Sequence, residues 1–348
     1  MQNNKRKIYL LLDSSKMGGI QSHVVQLAKG LKNNNLRVEV ILFYDHGPHP
    51  LHAILAAANI GYSINRGGWR SLYRKFKNNQ PALVHTHGYR AGVWGRITAR
   101  LAGIKVISTY HAGELGKGRI ALYDAIDRWT GFLSHKRITV SEQIAQRLPY
   151  KSYFLNNFVE LPEQLSSGSQ IAFVGRLSHE KGPDIFVELA SCFPDTQFHL
   201  YGDGDMVQRL KTNAPANVIF EGNQSAMEQV WPRIGLLVMT SRHEGLPMAA
   251  LEAMAHGIPV ISSRVGALPR LIEHGVNGYL CDVKQLDEFR KYIQVWLNDA
   301  THRSELAKAA RLRLENEYST DSEIVKVLNL YRQVSPNLAI SLPNSSNI

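Results

Sequence analysis

The sequence predicts an α/β protein of two doubly wound, Rossmann-like domains facing a central cleft, each a parallel sheet with helices on both faces. Three observations lead there. Short Val/Ile/Leu-rich runs alternate with amphipathic stretches from end to end, as in parallel strands buried on both faces. The alternation breaks once, at "NNFVELPEQLSSGSQ" (156–170), where Pro162, two serines and Gly168 show no helical period. The chain's 348 residues also exceed the ~250–300 that one core ordinarily serves.

In the first half the strands are expected at "IYLLL", "RVEVILF", "ALVHTHG", "KVISTYH" and "RITVS", with helical patterns such as "SHVVQLAKGLKNN" and "GVWGRITARLAG" between them. In the second half "QIAFVG", "FHLYG", "NVIFEG", "LLVMT", "PVISS" and "GYLCD" alternate with "PDIFVELASCF", "MVQRLK" and "PMAALEAMAHG". The expected division is a first domain over 1–161, a second over 162–318, a helix over 319–334 returning to the first domain, and a flexible tail over 335–348. No repeat of fixed period is visible, which excludes solenoids. Two such sheets place a ligand at their strand C-termini.

Composition narrows the function classes. Hydrophobic residues make up 44%, charged residues 20%, and mean hydropathy is −0.21, values of a water-soluble globular chain. The start, "MQNNKRKIYLLLDSS", lacks the apolar core of a signal peptide, and no run reaches the ~18 apolar residues of a membrane span. A cytoplasmic location is the expectation. Cys192 and Cys281 share no Cys-x-x-Cys spacing, so free buried thiols are expected rather than a disulfide framework or thiolate zinc site. The net charge of +11 is uneven: residues 1–160 carry 23 Lys/Arg against 8 Asp/Glu, a balance of +15. Anionic lipid headgroups, nucleic acid or plain solvation would each account for it, but no nucleic-acid recognition motif is present.

The stretch "TSRHEGLPMAALEAMAHGIPVISS" (240–263) places Glu244 and Glu252 in otherwise small and apolar sequence. "LLVMT" reads as a buried strand, Ser241–Gly245 as its C-terminal loop, Pro247 as the first helical residue and Gly257 as the stop. Glu244 then stands at the sheet's carboxyl edge and Glu252 one to two turns into the helix. Two carboxylates suit the neutral hydroxyls of a sugar, and the helix start suits phosphate; equally, Glu244 would cap the helix and Glu252 be solvated. In "FVGRLSHEKGPDIF" (173–186), Arg176 and Lys181 follow another strand and could hold two phosphates without a metal, or be surface charges. Gly18-Gly19 opens the first helix, close enough for phosphate approach or simple loop closure, and lacks the third glycine of a dinucleotide fingerprint. His85, His87 and His111 at strand ends offer a zinc-hydrolase alternative, which would need further carboxylate ligands from neighbouring strand ends, where the first domain's 8 acidic residues are not expected. "DHGPHPLH" (45–52) and "GDGD" (202–205) look metal-like, but the first reads as a Pro-containing surface loop and the second, between a strand and a helix, as a turn.

Taken in order, Gly-Gly, "HTH", "TYH", "TVSEQIAQRL", "VGRLSHEKGPDIF", "YGDGDMVQRL", "VIFEGN", "SRHEGLPMAALEAMAHGIPVISSRVGALPRLIEHGVNGYL" and "AKAARLRLENEYS" resemble the GT4 family of retaining glycosyltransferases with the GT-B fold, to about Tyr331. The resemblance implies transfer of a sugar from a nucleotide-sugar, most often a UDP-sugar, to a glycan or lipid-linked acceptor, with no metal and no cofactor. By position, Glu244 would contact the donor sugar and Glu252 the ribose, while Gly245, Leu246, Pro247 and Met248 line sugar and phosphate. Arg176 and Lys181 would bind the diphosphate, Gly18 and Gly19 close on it, His111 position donor or acceptor, and Gly222 and Asn223 lie by the base. The usual "GG-x-P-E-x-I" appears as "GALPRLI", with Ala267 and Arg270 departing from it. Surface-polysaccharide assembly, such as lipopolysaccharide or capsule, is the implied setting, with contact between the basic first domain and an anionic membrane. A sugar-nucleotide epimerase on the same fold is the alternative. Glycogen-type phosphorolysis lacks an evident pyridoxal-type lysine motif.

Overall fold

The first β-strand, β1 (Ile8–Leu12), is fully buried and pairs in parallel with two neighbours, so its five apolar residues face helices on both sides. The computed structural model describes residues 7–13, 18–111, 119–224 and 226–338. The chain divides into two compact units, 1–158 with 320–348, and 159–319.

The first unit continues with α1 (Gly19–Asn33), β2 (Val38–Leu42), α2 (Pro50–Ala57), β3 (Gly61–Ile64), α3 (Gly68–Asn79), β4 (Leu83–His87), α4 (Tyr89–Leu101), β5 (Val106–Tyr110), α5 (Arg119–Trp129), β6 (Lys136–Thr139), α6 (Glu142–Arg147) and β7 (Tyr153–Phe154). Its seven strands, all parallel, run in the order β3-β2-β1-β4-β5-β6-β7. The sequence reading missed β3 and β7. Both are short edge strands without a fully buried run, and half-exposed edges leave no continuous apolar signal.

The second unit holds β8 (Gln170–Val174), α7 (Pro183–Ser191), β9 (Phe198–Tyr201), α8 (Val207–Asn213), β10 (Val218–Gly222), β11 (Ile234–Met239), α9 (Met248–Ala255), β12 (Val260–Ser263), α10 (Leu268–Leu271), β13 (Gly278–Cys281), α11 (Leu286–Asn298) and α12 (Ala300–Glu317). Its six parallel strands run β10-β9-β8-β11-β12-β13. The last helix, α13 (Thr320–Val334), belongs to the first unit, where Ile324, Val327, Leu328 and Tyr331 join Val24, Leu27 and Leu31 of α1 in one core.

From Pro162 on, the break at 156–170 is held within the second unit: Ser166 donates its backbone N–H to His256 O (2.8 Å) and its hydroxyl to Ile234 O (2.6 Å), and Arg311 donates to Pro162 O (2.9 Å). Three expectations are corrected here. The tail expected to be flexible from 335 is ordered as far as Leu338, which is buried in the first unit's core; 339–348 lie outside the described residues. Cys281 is buried but Cys192, at the end of α7, is exposed. Pro247 is the N-cap of α9 in extended conformation, and the helix starts at Met248. Among the described residues no helix is long and apolar enough to cross a membrane.

Candidate functional site

In the second unit β8 and β11 are neighbours, with β9 and β10 laid to one side and β12 and β13 to the other. Their connections diverge, so the loops after their C-terminal ends meet at the sheet's switch point, where doubly wound folds bind ligands. The two loops are tied together. Backbone N–H groups of Arg242 and His243 donate to Glu180 O (2.8 and 3.2 Å), and the Thr240 hydroxyl donates to Gly182 O (2.7 Å). The Arg242 guanidinium donates to both carboxylate oxygens of Asp184 (2.8 and 2.7 Å) and to His179 O (2.9 Å). Gly182 has φ +65°, and a Cβ there would lie 2.1 Å from Thr240 O, so the close approach of the loops requires glycine.

That contact brings Lys181 Nζ within 2.6 Å of Glu244 Oε2, while Ser241 donates its hydroxyl to Glu244 Oε1 at 2.7 Å. The Glu244 side chain is 3% exposed. The helix-cap reading of Glu244 is therefore excluded: its carboxylate is taken by Lys181 and Ser241, and α9 has no side-chain cap. Arg176 is exposed, and its guanidinium has no hydrogen bond or ion pair among the described residues. Gly266 (φ +59°) lies under this loop, where a Cβ would fall 2.2 Å from Glu244 O, and Ala267 donates its N–H to Gly245 O at 2.9 Å. Arg270 is exposed at the end of α10, its carbonyl accepting from Arg313 at 2.8 Å.

Leu246 and Met248 are buried, Gly245 is half-buried, and α9 begins at Met248. The first N–H groups of a helix have no intrahelical acceptor, which makes this end favourable to an anion. Every residue of α9 is buried except Ala249 and Glu252, which are half-buried and three positions apart on one face. Gly222 ends the edge strand β10, Asn223 follows it, and both are exposed. They lie two strands from β8, about 10 Å across the sheet. "GDGD" is a turn in which Asp203 accepts the Gly204 N–H (2.8 Å), and Asp203 and Asp205 are exposed.

In the first unit the equivalent switch point lies between β1 and β4. Gly18 is the N-cap of α1 and Gly19 its first residue; residues 14–17 before them lie outside the described ones. His87 ends β4, His111 follows β5, and His87 Nδ1 lies 3.0 Å from His111 Nε2. The trio expected from His85, His87 and His111 is corrected. Both His85 nitrogens are engaged, with the Tyr331 hydroxyl and Thr109 Oγ1 at 2.7 Å each, and His23 of α1 takes its place. His23, His87 and His111 each bring a ring nitrogen within 4.8 Å of the others, a group able to ligate a metal ion. Burial pushes His23 down to about 4 and His111 well below the usual imidazole range, so these rings are neutral near pH 7. His23 left no signal beyond its place one turn after Gly19 on the same helix. A cavity of about 30 Å³ opens beside His111, lined also by Tyr110, Asp124 and Arg147. The histidine-rich "DHGPHPLH", expected only as a surface loop, leads into a helix instead: His49 Nδ1 accepts the Leu51 N–H at 3.1 Å as N-cap of α2.

Two doubly wound parallel sheets, with charged loops at the switch point of the second, define a GT-B protein. The chain matches the family model "Glycosyltransferase Family 4" over residues 17–150 and "Glycosyl transferases group 1" over 163–313; it belongs to the GT4-type glycosyltransferases. It is 25% identical over 303 residues to an Escherichia coli UDP-Gal:alpha-D-GlcNAc-diphosphoundecaprenol alpha-1,3-galactosyltransferase, covering 75% of this chain and 78% of the relative. It is 26% identical over 270 residues to the Escherichia coli O-antigen biosynthesis glycosyltransferase WbnH, covering 73% and 79%. The crystal structure of Anabaena HepE in complex with UDP superposes with a TM-score of 0.80 at 19% identity, covering 94% of this chain and 100% of that one. HepE has also been crystallised with UDP-glucose, at a TM-score of 0.78, 20% identity and coverage of 96% and 99%. None of these relatives is an epimerase.

Proposed function

We propose that this glycosyltransferase is retaining and metal-independent, moving a hexosyl or N-acetylhexosaminyl unit from a UDP-sugar to a glycan or lipid-linked acceptor during surface-polysaccharide assembly, on the cytoplasmic side of the membrane. The observation that carries it is the Lys181–Glu244 pair, its lysine on the same segment after β8 that holds the unpaired Arg176. A buried carboxylate fixes one cation, a second is left open, and both stand where β8 and β11 diverge.

In this reading Arg176, Lys181 and the first amides of α9 hold the diphosphate, Glu252 accepts from the ribose hydroxyls, and Gly222 and Asn223 let the base lie along the sheet edge. Glu244 orients Lys181 and meets the sugar. As the C1–O bond breaks, its electron pair stays on the phosphate oxygen. The acceptor hydroxyl adds to C1 from the same face, and its proton passes to that phosphate, so no side-chain nucleophile is assigned. Fixed donors aimed at developing charge typically contribute 10²–10³ in rate each. Neutral His111 positions donor or acceptor.

The test is a thermal-shift screen against UDP, GDP, ADP and TDP sugars, followed by the anomeric configuration of the transferred sugar. A donor at 100 times its dissociation constant adds about 2.7 kcal/mol. No stabilisation by any of them, or an inverted product, sinks the reading. Metal independence is tested by chelation: an unchanged rate is expected, and a lost one assigns the His23, His87 and His111 group to a metal.

A further inference from the structure

Helix α5 is built inside out. Its Asp124 and Asp127 are buried, while Leu122, Ile126 and Trp129, spaced along one stripe, face solvent. The 3-10 turn that follows, Thr130–Leu133, adds Phe132 to the same exposed run, so that Trp129 is 70% and Phe132 61% exposed. Ordinary surface helices do the reverse, directing hydrocarbon to the core and charge to water. The cause of the inversion is Arg96 of α4, fully buried, which donates to Asp127 Oδ1 (2.6 Å), to Asp127 O (2.8 Å) and to the Thr130 hydroxyl (2.7 Å). Asp124 pairs with Arg128 at 2.9 Å. A polar network therefore anchors the inner face, and the apolar residues are left outside.

The rim of this stripe is basic. Arg137 donates to Gly131 O at 3.2 Å and lies over the Tyr150 ring, which in turn donates its hydroxyl to Trp129 O. Arg90 lies over Tyr123, itself exposed, and Arg147 and Lys151 are exposed nearby in sequence. Between residues 119 and 151 the acids are Asp124 and Asp127, both turned inward, and Glu142 at the start of α6.

We propose that the outer face of α5 and its 3-10 turn is a docking surface for an anionic lipid bilayer. Leu122, Ile126, Trp129 and Phe132 enter the headgroup boundary, and Arg90, Arg137, Arg147 and Lys151 meet lipid phosphates. Trp, Tyr and Phe on a basic amphipathic stripe match the interface of a bilayer. A second copy of the chain is the poorer occupant, because the first 160 residues carry a balance of +15 and would repel themselves. The proposal rests on the transferase reading only for what docking serves, access to a lipid-linked acceptor.

The experiment is flotation of the purified full chain, without donor or acceptor, on vesicles of phosphatidylethanolamine with phosphatidylglycerol and on phosphatidylcholine alone. Binding to the anionic vesicles, weakened by salt, is expected. Trp129→Ser with Phe132→Ser should reduce it about tenfold or more, and Lys151→Gln about fivefold. Tyr62→Ser, at an exposed tyrosine of β3 on the sheet edge remote from β5 and β6, should leave it unchanged. All should keep the wild-type melting temperature and UDP-dependent shift, so failure to dock is separable from failure of the transferase reading. Equal binding to both vesicles, wild-type binding by the Trp129/Phe132 variant, or a dimer that this variant converts to monomer would each overturn the proposal.

Discussion

Lys181 Nζ lies 2.6 Å from Glu244 Oε2, and the Ser241 hydroxyl occupies the other carboxylate oxygen at 2.7 Å. A carboxylate that is 3% exposed would be costly without both partners, so the pair forms one unit. Glu244→Gln and Lys181→Met should each lower transfer by about 10²–10³. The double variant should lose less than the product of the single losses, since the two share one interaction besides their separate substrate contacts. Additive losses in a double-mutant cycle would show that the two act separately.

Arg176 is exposed and makes no hydrogen bond or ion pair among the described residues, its charge acting only at a distance on Glu180. Arg176→Ala is expected to abolish transfer while the melting temperature stays within about 1 °C, surface substitutions costing at most about 0.5 kcal/mol. Near-normal turnover would remove it from the diphosphate site.

Gly182→Ala tests the loop junction. Its φ of +65° and the 2.1 Å approach of a Cβ to Thr240 O should cost about 1–3 kcal/mol and displace Lys181. The expected result is a lowered unfolding midpoint in urea together with lost activity. An unchanged midpoint would mean that the loops part freely.

Burial holds four imidazoles of the first unit low: His23 to about 4, His85 to about 3, His87 and His111 well below the ordinary value. A base depressed in the folded state binds protons more readily when unfolded. Stability should therefore be intact above about pH 6.5 and fall as pH drops from there toward 4 and 3, by up to about 1.4 kcal/mol per pH unit for each group. Melting temperatures measured across that window test it. His85→Gln should melt lower at every pH but with a shallower slope, and an unaltered slope would locate the acid sensitivity elsewhere.

The repeating unit of strand and helix was legible because a doubly buried parallel strand needs an uninterrupted apolar run, as in β1 and β11, whatever its neighbours are. Gly18-Gly19 at a helix start and the turn at "GDGD" were legible for similar local reasons. Edge strands β3 and β7 were not, because half their surface meets water. The inverted helix α5 was also hidden, since its apolar stripe resembles that of any core helix until Arg96, on α4, is seen to claim its carboxylates.

By itself the sequence determined which elements form and which residues stand at strand ends, because periodicity, glycine and proline act within a few residues of where they sit. Only the tertiary structure decided partners. It put Lys181 on Glu244, exchanged His85 for His23 beside His87 and His111, and turned the hydrocarbon of α5 outward. Those outcomes depend on tertiary packing, which brings together residues from 24 to 63 positions apart and is fixed by the sheets as wholes rather than by any local pattern.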